Sequence, residues 1–291
     1  MSELPKISIV TPSFNDAAYL ERTIESVLEQ GYPNLEYIIV DGASTDGSVD
    51  IIRKYRHSLA WWCSEPDGGM YDAINKGFSH ATGEIMGWIN SDDIHHPGSL
   101  FILAEVFGEH KDVNWIQGIP NVVDEKGRLV YISPHAVVDK FWFYLKRHIR
   151  SKRYIQQEST FWRRSLWEKA GGYVSTKVKY AGDFELWLRF FKYDRLISVP
   201  ALLGAFRLGV GGQASVDSYQ EYVMETLQAL ALHPLAAHEL RQLKKIERFE
   251  KSKRWLNTIL RRLYGGSIVH SQNPARFQFD HQRQRFVLVG S

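Results

Sequence analysis

An apolar run, Ile85 to Ile89, ends in Asn90, Ser91, Asp92 and Asp93, just ahead of a turn at Pro97-Gly98. Adjacent carboxylates repel unless positive charge stands near them. A helix N-terminus, a lysine or a metal ion could supply it. Two common phosphate devices are absent from the sequence. There is no G-x-x-x-x-G-K-[ST] loop, and the first apolar run leads into "TPSFND" rather than into the glycine pattern of a dinucleotide fold. A diphosphate handled without a glycine cradle needs another cation. Mg²⁺ or Mn²⁺ held by one or two carboxylates is a common solution. Asp92 and Asp93 therefore read as a metal and nucleotide site, with capping of a helix near Pro97 as the plain alternative. His95 and His96 follow directly, but oxygen ligands suit Mg²⁺ better than imidazole does.

These residues need elements to hold them. "KISIVTPSFN" reads as a strand ending at a proline turn, and "DAAYLERTIESVLEQG" as a helix with Leu20, Ile24, Val27 and Leu28 at helical spacing. "LEYIIVDG", "LAWWCSE" and "EIMGWIN" read as further strands, separated by helices in "GSVDIIRKY" and "MYDAINKGFSHAT". Strands alternating with helices imply crossovers and a largely parallel sheet. Runs such as "YIIV" fit a sheet covered on both faces. Three strands end in polar residues: Thr11-Pro12-Ser13, Asp41-Gly42, and Asn90 to Asp93. Ligands of open parallel sheets bind at such ends, so the three should converge on one cleft.

The second half is less regular. Strands are expected in "NWIQGIP" and "RLVYIS", and a strand then a helix in "YIQQESTFWRRSLWEKAGGY". A helix is expected in "GDFELWLRFFKY", and a strand running into a glycine-rich loop in "LISVPALLGAFRLG". From about Asp217 to Leu263 the pattern is mostly helical and divided near Pro234, and "RFQFDHQRQRFVLV" alternates as a strand does. No internal repeat or low-complexity segment is apparent.

The 291 residues, 44% hydrophobic and 24% charged, suffice for a sizeable core and argue against disorder. A single cysteine, Cys63, rules out an intrachain disulfide and fits a reducing compartment. The start "MSELPKISIV" lacks a signal-peptide pattern, and no window approaches the ~20 apolar residues of a spanning helix. The expectation is a cytoplasmic protein, or one peripheral at the inner face of the cell membrane. The net charge of +3 is uneven: twelve Lys/Arg and three Asp/Glu from Arg241 onward give +9, which leaves −6 for the rest. A basic tail on an acidic body fits contact with an anionic surface, or simply a solvated helix face.

Five stretches in order carry a resemblance: "SIVTPSFND", "IIVDGASTDGS", "EPDGGMYDAINKGFSHATGE", "WINSDD" and "AGDFELWLRF". Together they resemble the family 2 glycosyltransferases, over roughly Lys6 to Gly212. The resemblance implies a GT-A fold of the α/β class: Rossmann-like, with a mostly parallel central sheet and flanking helices. Here a basic, mostly helical C-terminal extension is added. The expected division is a domain at 1–215, with a nucleotide-binding half at about 1–110 and an acceptor half at about 111–215, followed by the extension at 216–291.

The resemblance also implies roles. Thr11, Pro12 and Ser13 look like the loop around the nucleotide base, and Asp41 like the carboxylate that binds it, with a turn residue in "DGASTDG" as the plain alternative. Lys76 looks like a contact to base or phosphates, with a solvated surface lysine as the plain alternative, and Asp67 and Tyr71 are weaker candidates. Asp92 looks like the residue that meets ribose or metal, and Asp93 like the direct metal ligand. The family's usual split Asp-x-Asp is here an adjacent pair after Ser91, which leaves the division between them open. Asp183 looks like the general base that takes a proton from the acceptor hydroxyl, with a helix N-cap as the plain alternative and Glu185 as the alternative carrier. Gln157 and Glu158 resemble a motif on the acceptor side. Trp187 could stack on a sugar or pack in the core. Apart from the resemblance, Arg207 and the loop "GVGGQAS" could close over the diphosphate, since its glycines permit lid motion, or the stretch is an ordinary flexible loop. The expected activity is inverting, metal-dependent hexosyl or N-acetylhexosaminyl transfer from a nucleotide-sugar, a UDP-sugar by family habit. The acceptor would be a glycan or lipid-linked molecule of cell-surface polysaccharide or glycolipid synthesis. Asp93 and Asp183 together speak against a non-catalytic relative, and "TPSFND" against a nucleotidyltransferase. Basic charge confined to the tail speaks against a nucleic-acid partner.

Overall fold

The computed structural model describes residues 4–133, 138–151, 153–209, 218–264, 276–280, 282–283 and 285–290, with the backbone alone over 253–264. The chain starts as expected: β1 (Ile7–Ser13), α1 (Ala17–Leu28), β2 (Leu35–Asp41), α2 (Ser48–Tyr55), β3 (Trp61–Ser64), α3 (Met70–His80) and β4 (Ile85–Trp88). β1 pairs in parallel with β2 and β4, and β2 with β3. The register sets Ser13 beside Asp41 and Asp41 beside Ser64, so the polar strand ends share one edge of the sheet.

Both faces of this sheet are covered. Tyr37 and Ile39 of β2 join one core, with Leu20, Ile24 and Val27 of α1. Ile38 and Val40 join the other, with Ile74 and Phe78 of α3. Successive strand residues point to opposite faces, which is why "YIIV" carries no polar alternation.

After β4 come β5 (Ile94–His95), α4 (Ser99–Glu109), β6 (Trp115–Gln117), β7 (Asn121–Val123) and β8 (Leu129–Ile132). Two short helices follow, rich in aromatic and basic residues: α5 (Lys140–Tyr144) and α6 (Arg147–Ser151). A 3₁₀ turn at Gln157–Ser159 then leads into β9 (Thr160–Arg163) and α7 (Arg164–Lys169). β9 lies antiparallel between β4 and β6. The chain leaves β6 at the strand-end edge and re-enters the sheet from that edge, so it runs the other way.

Next are α8 (Gly182–Phe190), β10 (Ile197–Ser198) and β11 (Gly204–Arg207). β11 leaves the main sheet and joins a second one of order β5-β11-β7-β8. α9 (Tyr219–Leu232) and α10 (Ala237–Tyr264) flank Pro234, which cannot continue a helix. The expected last strand is a hairpin, β12 (Arg276–Asp280) with β13 (Arg285–Val289), on the edge of a nine-stranded sheet. Its Phe277 and Phe286 join the α1-side core, so the end of the extension packs into the main body. The glycine-rich loop 210–215 lies outside the described residues.

Candidate active site

The expected convergence is present. A cleft of about 1170 Å³ opens at the strand ends, lined at one end by Pro12, Ser13, Phe14, Gly42 and Asp67. Asn90, Ser91 and Asp92 face it after β4, Gln157 and Glu158 from the return loop that leads through the 3₁₀ turn into β9, and Asp183 at the head of α8.

The loop carrying Asp92 is fixed from several sides. Thr23 of α1 donates its hydroxyl to the carbonyls of Ser91 (2.8 Å) and Asp93 (2.7 Å). Ser91 donates to Asp16. Arg207 gives its backbone N–H to Asp93 Oδ1 (2.9 Å) and its Nε–H to the Asp92 carbonyl (2.6 Å). These contacts turn Asp93 inward. It is fully buried behind the cleft wall, where Asn90 also donates to it at 3.3 Å. Burial first, then the charges of Asp92 and Glu158, push its pKa up. The carboxylate facing the cleft is therefore Asp92, and not Asp93, the expected direct metal ligand. Arg207, expected over a diphosphate, is a buried strut that also donates to the Glu125 carbonyl (3.1 Å) and lies over the Tyr19 ring.

Four other expectations move for similar reasons. Thr11 is buried and its hydroxyl meets Tyr37 Oη at 3.0 Å, so only Pro12 and Ser13 of that trio line the cleft. Asp41 is buried beneath Gly42. It accepts the backbone N–H of Ser44 (2.9 Å) and the hydroxyls of Ser44 (2.5 Å) and Ser64 (2.7 Å), which ties the ends of β2 and β3 together. That turn holds Ala43 at a φ of 63°, a region few alanines adopt. Lys76 pairs with Glu65 at 2.8 Å off the cleft, and the hydrogen bond to Glu65 raises its pKa. Trp187 is 1% exposed and stacks between Trp88 (6.0 Å) and Trp115 (5.6 Å), so it is core.

Asp183, the expected base, lines the cleft at the head of α8. Its Oδ1 is buried without a hydrogen-bond partner. Burial raises its pKa to about 7; backbone N–H groups of Phe184 and Asp183 pull it down and the Glu225 charge adds to the rise. Glu185 is held elsewhere: Arg189 Nε donates to both of its oxygens at 3.0 Å, and His233 Nε2 lies 2.7 Å from Oε1. Its pKa is lowered, because these bonds outweigh a burial that raises it. Residues two apart on a helix face different ways, which is why only one of the pair reaches the cleft. Tyr71 Oη accepts the N–H of Gly182 at 2.9 Å and so anchors the head of α8. Gly182 admits that ring, since a Cβ there would stand 2.7 Å from it.

Gln157 Nε2 donates to the Trp88 carbonyl at 2.6 Å, and its Oε1 is unpartnered. Glu158 is 4% exposed, with Oε1 unpartnered and a pKa raised to about 8, first by burial and further by Asp92 and Asp183. The backbone of β11 passes against it at Gly204, where a Cβ would sit 2.0 Å from the Glu158 carbonyl oxygen. His95 is buried with its pKa pushed down to about 3 by burial, then by His96, while His96 meets Asn121 Oδ1 at 2.8 Å.

Among the described residues, no three His, Cys, Asp or Glu side chains form a ready metal cage. What the cleft offers is Asp92, with the unpartnered Asn90 Oδ1 close by in sequence. That donor set fits a Mg²⁺ or Mn²⁺ ion that takes one or two protein oxygens and completes its shell with phosphate oxygens and water.

A model for "Glycosyl transferase family 2" matches residues 8–171. The chain belongs to glycosyl transferase family 2. An uncharacterised glycosyltransferase of Mycobacterium tuberculosis is 32% identical over 214 residues, covering 72% of this chain and 79% of the relative. Another, from Rickettsia typhi, is 26% identical over 65% of this chain and 59% of its own. S. aureus TarS 1–349 in complex with UDP-GlcNAc superposes with a TM-score of 0.65 at 20% identity, over 90% of this chain and 73% of that one. The mannosyltransferase PcManGT from Pyrobaculum calidifontis, in complex with GDP-Man and Mn²⁺, gives 0.61 at 21%, over 84% and 70%. The fold is GT-A.

Several cleft residues were not read from the sequence. Phe14 is 63% exposed on the cleft wall, inside the quoted "TPSFND". Tyr154, Tyr219 and Tyr222 line the cleft, the last two from α9, beyond the resemblance. Asn90 stood within the "NSDD" stretch, and only its unpartnered oxygen marks it out.

Proposed function

We propose that the protein moves a sugar, with inversion, from a nucleotide-sugar to a hydroxyl of a glycan or lipid-linked acceptor. The observation that carries this is Asp183: a cleft-facing carboxylate with an unpartnered oxygen and a pKa raised to about 7, in the same cleft as Asp92. In the reaction, the acceptor oxygen attacks the anomeric carbon from the face opposite the leaving diphosphate. Its proton passes to Asp183, the glycosidic bond to the diphosphate breaks, and the nucleoside diphosphate departs. Asp92 would hold Mg²⁺ or Mn²⁺, which when bound supplies positive charge to the leaving diphosphate.

The base would lie along Pro12, Ser13, Gly42 and Asp67, with Phe14 as its stacking face. Unpartnered acceptors on Asn90, Gln157 and Glu158 suit the hydroxyls of a sugar, since buried polar atoms without partners call for a ligand that supplies them. The UDP-GlcNAc and GDP-Man complexes of the structural neighbours support the donor class. UDP follows the family resemblance, as does hexosyl or N-acetylhexosaminyl transfer in cell-surface glycan synthesis. Lys244, Lys245, Arg248 and Lys251 are exposed on α10 and support a site at the inner membrane face, where lipid-linked acceptors are found.

Calorimetry with UDP, GDP and dTDP tests the reading. One nucleotide is expected to bind tightly with Mn²⁺ present, and Asp92→Ala to weaken that binding ~10-fold or more. Equal binding by Asp92→Ala, or dependence on Asp93 alone, would contradict the assignment.

A further inference from the structure

Glu225 lies on α9, beyond the residues matched by the family model. Its carboxylate accepts three successive backbone N–H groups: Lys179 on Oε1 at 2.9 Å, and Tyr180 (2.8 Å) and Ala181 (2.9 Å) on Oε2. The next N–H, of Gly182, goes to Tyr71 Oη. Two side chains, from α9 and α3, thus take every backbone donor from 179 to 182, and Asp183 follows directly.

We propose that Glu225 is a positioning residue for Asp183: it fixes the segment that carries the base and sets a negative charge against the positive end of α8. A carboxylate at a helix N-terminus is ordinarily stabilised in its ionised form by the helix dipole and free N–H groups, and so becomes a weaker base. Here a second carboxylate occupies the donors just ahead of the helix, and its charge opposes ionisation of Asp183. The other titratable groups facing Asp183 are Tyr71 of α3, Tyr154 and Glu158 of the return loop, and Tyr222 of α9. The tyrosines are uncharged near neutrality. Of the carboxylates near Asp183, it is Glu225 whose charge adds to the rise of its pKa, after burial.

Three charge-assisted bonds from one carboxylate leave the 179–181 backbone little freedom. Losing them would let the head of α8 shift, and a displacement on the order of 1 Å costs about 100-fold in rate when a base must meet a hydroxyl.

Titration of aspartate-¹³Cγ signals by NMR tests the charge argument in the whole protein. The Asp183 resonance is assigned by its loss in Asp183→Asn. The wild-type signal is expected to titrate near 7, and in Glu225→Gln the midpoint should fall by about one pH unit. Glu225→Asp keeps the charge but is too short to span all three N–H groups. Its midpoint should stay near wild type. Hydrolysis of a UDP-sugar, which rests on the proposed transfer reaction, should show kcat reduced ~10-fold or more in both variants with KM for the donor unchanged. An Asp183 midpoint in Glu225→Gln that coincides with wild type would overturn the proposal, as would a KM effect without a kcat effect. So would lowered thermal stability with neither. If wild-type protein hydrolyses no donor but the midpoint still moves, Glu225 keeps its role and the transfer reading falls.

Discussion

At the scale of single residues, the account turns on a few carboxylates sorted by their surroundings. Asp183 must be ionised to accept a proton. With its pKa raised to about 7, kcat/KM should be lost as pH falls through that value, about tenfold per pH unit below it, and level off above. A pH–rate profile checks this, and a flat profile between pH 5 and 8 would exclude Asp183 as the base. An asparagine at this position should lower kcat about 10²–10⁴-fold, because it cannot take the proton. Asp183 was legible in the sequence as a carboxylate at the head of an apolar helix. Glu185 was a poorer candidate than it looked, since helical spacing turns it away, toward Arg189 and His233. That Asp92 faces the cleft while Asp93 is buried was not legible. It is imposed by Thr23 and Arg207, which are distant in sequence and reach the loop only in the fold.

At the scale of elements, local pattern and long-range pairing part company. The β-α alternation up to β4 followed from periodicity and turn residues, because each crossover there is local. β9 reads as a strand in the sequence, yet its antiparallel place between β4 and β6 depends on a long excursion through β7, β8, α5 and α6. The final hairpin was half-read as one strand for the same reason: its partner on the sheet, β10, is only two residues long. α10 carries a prediction of its own. Its exposed Lys244, Lys245, Arg248 and Lys251 should each contribute about 1 kcal/mol on an anionic bilayer. Replacing all four by serine should abolish flotation with phosphatidylserine vesicles. Flotation equal to wild type, or equal flotation with neutral vesicles, would remove the membrane from the account. α10 itself is tied down by Lys140–Glu239 and Arg147–Glu250, so the substitutions leave its anchoring pairs intact.

At the scale of the whole molecule, the site draws on most of the chain. The N-terminal β-α units supply Ser13, Phe14 and Asp92, the return loop supplies Gln157 and Glu158, and α8 and α9 close the Asp183 end. This dispersal explains why the cleft could be placed from the sequence at the strand ends while its far wall could not. Tyr219 and Tyr222 sit on a helix whose sequence shows only amphipathic spacing. No helix among the described residues is long and apolar enough to cross a membrane. In the proposed reaction this cleft breaks a sugar–diphosphate bond. The most direct measurement is nucleoside diphosphate release from a panel of UDP-, GDP- and dTDP-sugars, with and without Mn²⁺, by wild-type protein and by Asp92→Ala and Asp183→Asn. The account predicts slow, metal-dependent release from one donor, strongly reduced in both variants. Release from none of them, with no nucleotide bound by calorimetry, would contradict it.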